Sequence, residues 1–135
     1  MTKTSEFRIG RHCVFQLHAH LIFVTKYRKK VFTKSILERM KNTFESVCKD
    51  YETTLKEMDG ETDHVYLLIE YLPKVSLSTL VNSLKGVSSR MLRKEFPALH
   101  KHFWKGMLWS PSYFAANCGA HDIPVMNDEV LRRER

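Results

Sequence analysis

The stretch Asp63-His64-Val65-Tyr66-Leu67-Leu68-Ile69-Glu70 decides the fold. Its side chains alternate with a period of two, the repeat of a β-strand, in which successive residues point to opposite faces. His64, Tyr66, Leu68 and Glu70 then share one face, and Val65, Leu67, Ile69 and Tyr71 share the other. The second set is apolar and suits a core. The first set carries an imidazole, a phenol and a carboxylate, which need polar partners if they leave water. Pro73 stops the strand, because it has no N–H to give to a ladder.

Working outward, residues 12–26 also alternate and predict a long first strand. Cys13, Phe15, Leu17, Ala19, Leu21, Phe23 and Thr25 face one way; Val14, Gln16, His18, His20, Ile22, Val24 and Lys26 face the other. It runs into a basic turn, Lys26-Tyr27-Arg28-Lys29-Lys30. Between 35 and 51 the period changes. Ile36, Met40, Phe44, Val47 and Tyr51 recur at helical spacing, and Ser35 with Glu38 reads as a capping box. A short strand over 53–59 follows, with a turn at Asp59-Gly60. A second helix spans about 76–95, with Leu77, Leu80, Val81, Leu84, Val87 and Met91 as its apolar stripe and Pro97 beyond its end. Residues 98–104 suit a short helical turn. Residues 108–118 return to strand character, with Pro111 marking an edge or bulge. The tail 123–135 is charged and reads as a helix.

The order is therefore β-α-β-β-α-β with an added C-terminal helix. It predicts an α/β (α+β) ferredoxin-like fold: an antiparallel sheet with two helices on one face and the first and third strands as central neighbours. The whole chain, 1–135, reads as one domain, with 1–11 as a flexible N-terminus and 121–135 as a separate tail. A length of 135 residues and a hydrophobic content of 43% suit a single core.

Charge restricts the partner. Lys plus Arg number 22 against 15 acids, a net charge of +7. Such a balance favours a polyanion, most often nucleic acid. Cys13, Cys48 and Cys118 are odd in number and widely spaced, which argues against a disulfide framework or a cysteine-rich zinc site. The N-terminal MTKTSEFRIGRH lacks the apolar core of a secretory signal, and no apolar run reaches the roughly 18 to 20 residues that cross a membrane. The expectation is a reducing, cytoplasmic, prokaryotic and nucleoid-associated setting without a membrane partner.

Four blocks carry a resemblance: His20-Leu-Ile-Phe-Val-Thr-Lys-Tyr-Arg28, Asp63-His-Val-Tyr-Leu-Leu-Ile69, Leu84-Lys-Gly-Val-Ser-Ser-Arg90 and Leu108-Trp-Ser-Pro-Ser-Tyr-Phe114. In this order and spacing they resemble the IS200-like transposases, the small single-tyrosine HUH transposases of simple insertion sequences. The resemblance covers roughly residues 12–120. It implies a homodimer that binds hairpins in single-stranded DNA. It also implies cutting and rejoining of one strand through attack of a tyrosine on a phosphodiester, with a 5′-phosphotyrosine formed and a 3′-hydroxyl released. A divalent metal, Mg²⁺ or Mn²⁺, held by two histidines would polarise the phosphate. The tyrosine would sit on a C-terminal helix, and a polar residue one turn later would complete the metal shell.

Carried onto this chain, the first histidine is His64 and the second position holds Tyr66. The nucleophile position falls near Glu129 and the auxiliary ligand near Arg133; no tyrosine follows Tyr113. The chemistry that the resemblance implies therefore lacks most of its groups. One histidine does not hold a catalytic divalent ion, and a phenol of pKa about 10 is a poor partner for Mg²⁺ at neutral pH. An alternative metal set is His18, His20 and His64, if all three face the same way. The cations expected to meet phosphate form two groups: Lys26, Arg28, Lys29 and Lys30 in the turn, and Lys85, Arg90, Arg93 and Lys94 on the second helix, with Tyr27 and Phe32 beside the first for stacking. Trp104 and Trp109 suit the core or a dimer contact.

Three functional readings follow. The first is a transposase-family protein that binds single-stranded hairpins and is impaired in strand cleavage. The second is an active transposase with a rearranged metal site. The third is a domesticated, non-catalytic regulator that binds nucleic acid.

Overall fold

The alternation of the deciding stretch appears directly in its burial. In the computed structural model, which describes residues 16–102 and 107–117, the strand His64–Tyr71 alternates half-buried and buried along its whole length. Val65, Leu67 and Ile69 are fully buried and Tyr71 nearly so. The described elements are β1 (Leu17–Val24), α1 (Lys34–Asp50), β2 (Thr54–Gly60), β3 (His64–Tyr71), α2 (Leu77–Glu95) and β4 (Phe114–Asn117). Short 3₁₀ segments at Lys26–Arg28 and Pro97–His102 supplement them. The sheet order is β2-β3-β1-β4 with every neighbouring pair antiparallel. This is the expected α/β ferredoxin-like arrangement, with β1 and β3 at the centre. Readings that concern residues 1–15, 103–106 and 118–135 lie outside the described residues; these include Cys13, Cys118, Trp104, Glu129, Arg133, the flexible N-terminus and the tail helix.

The register of the central pair runs from Leu17 opposite Tyr71 to Val24 opposite His64. It puts Ala19, Leu21 and Phe23 on the same face as Val65, Leu67 and Ile69, and α1 and α2 cover that face. Their contributions are Ile36, Met40, Phe44 and Val47 from α1 and Leu80, Val81, Leu84, Met91 and Leu92 from α2. Phe23 is the hub: Phe44, Trp109 and Tyr113 meet it edge-on at centroid distances of 6.1, 5.7 and 6.4 Å. Trp109 is buried and its indole N–H donates to Ser88 Oγ at 3.0 Å, so this tryptophan is core. Cys48 is a buried free thiol that burial, with Glu45 adding, pushes up to about 12.

Three details differ from the sequence reading. First, α1 starts one residue early, and its cap is Thr33, whose hydroxyl accepts from the Ile36 amide at 3.2 Å; Ser35 lies within the first turn, so no Ser35/Glu38 box forms. Second, Gly60 is the last residue of β2, paired with Val65, and the chain turns after it, with Glu61 N–H donating to the His64 carbonyl. A Cβ at Gly60 would stand 2.7 Å from Leu37 Cδ2, so any larger residue here would push the Leu37 side chain of α1 aside. Third, the expected strand over 108–118 narrows to Phe114–Asn117, preceded by an isolated bridge from Trp109 to Thr25. Pro111 cannot join a ladder, and Lys85 draws the carbonyls of Ser110 and Ser112 to itself instead.

Since Phe23 joins both helices to the sheet, Phe23→Ala is expected to lower stability by about 3–5 kcal/mol. Urea unfolding checks this. A loss below 1 kcal/mol would show that the ring cluster is not the core's organising contact.

Candidate nucleic-acid interface and the His64 face

The face opposite the helices carries the polar half of the strand pattern. From the register, His18 lies opposite Glu70, His20 opposite Leu68, Ile22 opposite Tyr66 and Val24 opposite His64. All three histidines thus share one face. They do not meet, because His20 and His64 stand at positions four residues apart along the paired ladder. Each has its own partner. His18 Nε2 donates to Glu70 Oε2 at 3.0 Å. His20 Nδ1 and the Tyr66 hydroxyl share a short hydrogen bond of 2.5 Å, their rings stacked with centroids 5.5 Å apart. His64 Nδ1 donates to Asp63 Oδ1 at 2.9 Å. Among the described residues, no three histidine, cysteine or acidic side chains converge as a metal group. The His18–His20–His64 set is corrected accordingly: β-pairing gives the three a common face and also holds them apart.

Ile22 and Val24 separate the two ends of this face. Both are buried, with Tyr66 and Phe114 packed against them. Burial holds the His20 imidazole below its usual pKa; Glu57 opposes the shift and His18 adds to it. His20 therefore favours its neutral form, and the Tyr66 phenol is engaged with it.

The other end of the face is built around Asp63, a residue whose role the sequence did not announce. Its side chain is 6% exposed and accepts from both His64 Nδ1 and Arg28 Nε, the latter at 3.1 Å. Burial alone would raise its pKa; the hydrogen bonds from His64 and Arg28 outweigh that and hold the carboxyl below its ordinary value. Thr25 ties the same spot to the backbone: its amide donates to the Asp63 carbonyl at 2.9 Å, and its hydroxyl donates to the Lys29 carbonyl at 2.8 Å. A carboxylate on Nδ1 fixes the imidazole's orientation and leaves Nε2 as the other ring nitrogen, the arrangement that elsewhere orients metal-binding or proton-transferring histidines. An acid directly before the strand histidine was the available signal.

The basic turn is packed on this end. Lys26 N–H donates to the Leu108 carbonyl, and the amides of Val31 and Phe32 both donate to the Thr62 carbonyl. Lys29 and Lys30 are exposed and Lys26 half-buried, with its ammonium 5.1 Å from the Tyr27 ring centroid. Arg28 differs from its neighbours: it turns inward to Asp63, so its charge is compensated. Phe32, expected beside the turn for stacking, is buried against Trp109.

The second basic group does not form one patch. Lys85 Nζ donates to the Ser110 and Ser112 carbonyls at 2.7 and 2.9 Å and lies over the Phe23 and Tyr113 rings. It is a clamp on the segment before β4. Arg90 and Lys94 instead line a groove of about 470 Å³ between α1 and α2, where Arg39 makes a two-point salt bridge to Glu95 at 2.7 and 2.8 Å. Arg93 is half-buried. The helical repeat that grouped these four by sequence sends them to different sides of α2.

Asp63 supplies a pH prediction. With a folded pKa below the unfolded value, its stabilisation is present in full at neutral pH and is lost as pH falls from about 4 through the folded value. Asp63→Asn is expected to cost about 1–3 kcal/mol at pH 7 and to flatten the acid limb of the stability curve. Urea midpoints between pH 7 and 3 read both effects; an unchanged acid limb would show that Asp63 is not the titrating group.

No helix among the described residues is long and apolar enough to cross a membrane. The chain is similar to the ISDra2 transposase TnpA of Deinococcus radiodurans, 33% identical over 108 residues that cover 80% of this chain and 77% of that protein. It is 25% identical over 116 residues to the transposase of insertion sequence IS200 from Salmonella typhimurium, covering 86% and 76%. The crystal structure of a transposase from D. radiodurans superposes with a TM-score of 0.85 at 28% identity, covering 96% of this chain and 98% of that one. A REP-associated tyrosine transposase bound to a REP hairpin shares the fold, with a TM-score of 0.59 at 8% identity over 92% and 68% of the two chains. The family described as IS200-like transposase matches residues 13–128, and with this span, these relatives and this fold the chain belongs to that family.

Proposed function

We propose that this protein binds hairpins of single-stranded DNA and has lost the strand cleavage of its HUH relatives. The observation that carries the reading is the Tyr66–His20 pair. The position where the resemblance implies a second metal ligand holds a phenol that is hydrogen-bonded across the sheet. Among the described residues the donors fit Mg²⁺ or Mn²⁺ poorly: these ions take oxygen donors in near-octahedral or carboxylate-rich sites, and the His64 imidazole stands beside a carboxylate already engaged by His64 and Arg28. No catalytic step is therefore assigned through a metal. Tyr66 is engaged with His20, and Tyr113 packs on Phe23 and Lys85 on the helix-covered face.

Binding rests on different residues. Lys26, Lys29 and Lys30 lie together at the Asp63–His64 end, where a phosphate chain meets three cations that form no ion pair among the described residues. Arg28 serves by holding the turn in place, and Lys85 by holding the β4 approach. Arg90, Arg93 and Lys94 belong to a separate region on the helix side. The assembly is a homodimer through the β4 edge. That edge bears Phe114, Ala115, Ala116 and Asn117, without charge, whereas the β2 edge is bulged between Leu55 and Glu57 and carries Lys56, Glu57 and Asp59. A monomer in sedimentation at micromolar concentration would remove this part.

The test uses a hairpin DNA with single-stranded flanks. Binding is expected at low salt and to weaken steeply as salt rises, by roughly 0.7 log units of affinity per log unit of salt for each single-strand phosphate contact. Replacing Lys29 and Lys30 by alanine should lower that slope by about 1–2. Lys85→Ala should instead reduce stability, by about 1–3 kcal/mol, because it releases two carbonyls. With Mn²⁺ added, a denaturing gel is expected to be free of covalent protein–DNA product, both for the natural chain and for Tyr66→His. A covalent band from the natural chain would overturn the loss of cleavage; absence of any hairpin binding would overturn the nucleic-acid reading.

A further inference from the structure

Asp63 is a carboxylate in a costly place. It is buried at the end of the sheet where Lys26, Lys29 and Lys30 lie. Burying an acid costs desolvation, and an anion there also repels any phosphate that approaches the lysines. A neutral residue would avoid both costs. The carboxylate does what a neutral side chain of its shape cannot, because both of its oxygens accept. Oδ1 takes His64 Nδ1–H at 2.9 Å, and Oδ2 takes Arg28 Nε–H at 3.1 Å. Asparagine has one accepting oxygen and one donating NH₂, so it would set donor against donor on one side.

The two partners belong to different parts of the fold. His64 is the first residue of β3, a central strand, and it orients the carboxylate from one side. Arg28 lies in the basic turn, where it has φ 53° and follows Tyr27 at φ 58°. Left-handed angles are disfavoured for side chains, so a turn built this way needs bonds to hold it. Backbone bonds hold its two ends. Lys26 N–H donates to the Leu108 carbonyl at 2.8 Å, and the amides of Val31 and Phe32 donate to the Thr62 carbonyl at 3.0 and 2.9 Å. Between those ends the Arg28 side chain crosses to Asp63. The pair thus anchors the middle of the turn to the sheet, directly before exposed Lys29 and Lys30.

We propose that Asp63 is a positioning residue for nucleic-acid binding: through Arg28 it holds the basic turn where Lys26, Lys29 and Lys30 contact one phosphate chain together. This rests on the reading given above, that these lysines bind single-stranded DNA, and adds the side chain that sets their place. Positioning reverses the sign that charge alone dictates. By Coulomb attraction alone, Asp63 opposes DNA binding, so removing its charge strengthens the complex, and Arg28 counts for no more than an exposed lysine. As a tether, the same pair is needed for tight binding. His64 then has a use that requires no metal, since it turns the carboxylate toward Arg28.

The probe is a DNA hairpin with single-stranded flanks, titrated with folded protein at several salt concentrations. Asp63→Asn is expected to bind about tenfold more weakly than the natural chain at low salt, although it removes a negative charge. Arg28→Gln is expected to lower the salt slope by about 1.4–2.1, the loss of two to three single-strand contacts, whereas Lys29→Gln lowers it by about 0.7. Asp63→Asn combined with Arg28→Gln should bind as Arg28→Gln alone does, because both cut the same tether. A loss of folded protein would lower the bound fraction and leave the slope unchanged, which separates placement from mere stability. Asp63→Asn binding as tightly as the natural chain, or more tightly, would overturn the proposal while nucleic-acid binding stands. If Asp63→Asn does not fold, Arg28→Gln against Lys29→Gln decides, and equal slopes overturn it. If the natural chain does not bind the hairpin, the nucleic-acid reading fails and this inference fails with it.

Discussion

The antiparallel register of β1 against β3 is the constraint on which the rest depends. Leu17 opposite Tyr71 and Val24 opposite His64 fix which side chains share a face along the whole central pair. A slip of one residue would send Phe23, Leu21 and Ala19 away from the helices and bring His18, His20, Ile22 and Val24 under them. The register is held from both sides. On one face Phe23 sits amid Phe44, Trp109 and Tyr113; on the other, His18–Glu70 and His20–Tyr66 bond across the same two strands. Packing and hydrogen bonding therefore select one alignment, and that agreement between levels defines a single native state.

The same register divides the polar face into two regions of different character. Toward the start of β1, imidazoles, a phenol and carboxylates satisfy one another. Toward its end, Asp63 gathers His64 and Arg28, and the chain leaves the sheet through a turn whose remaining lysines are open to solvent. The apolar pair Ile22 and Val24 lies between. Charge is thus not spread evenly over a basic protein. Arg28, Arg39 and Lys85 are consumed by internal partners, which leaves Lys29 and Lys30 as exposed cations at the Asp63–His64 end.

Much of the fold was legible in the sequence, because periods of two and 3.6 report burial directly. The β3 alternation, the α1 and α2 stripes and the β-α-β-β-α-β order all reappear in the structure. What the periods did not report was local competition for hydrogen bonds. Thr33 outcompeted Ser35 as the cap of α1, and Lys85 took carbonyls that a longer β4 would have used. The candidate site was legible only as an inventory. His18, His20 and His64 could be placed on one face, but whether three imidazoles converge depends on their offset along a partner strand, a quantity with no sequence signature. The lysines and arginines of α2 could be counted, yet whether each faces solvent, a groove or a carbonyl depends on what packs beside it.

By itself the sequence determined the fold class and the family to which the four motif blocks point. These follow from residue identity and chain-local periodicity. Tertiary structure alone decided that Tyr66 bonds to His20, that Asp63 joins His64 to Arg28, that Lys85 is a clamp, and that Tyr27 stands outward on a left-handed turn. The reason is common to all four. Each is a contact or a backbone angle set by segments distant in the chain, and sequence distance carries no information about which polar atom reaches a given partner first.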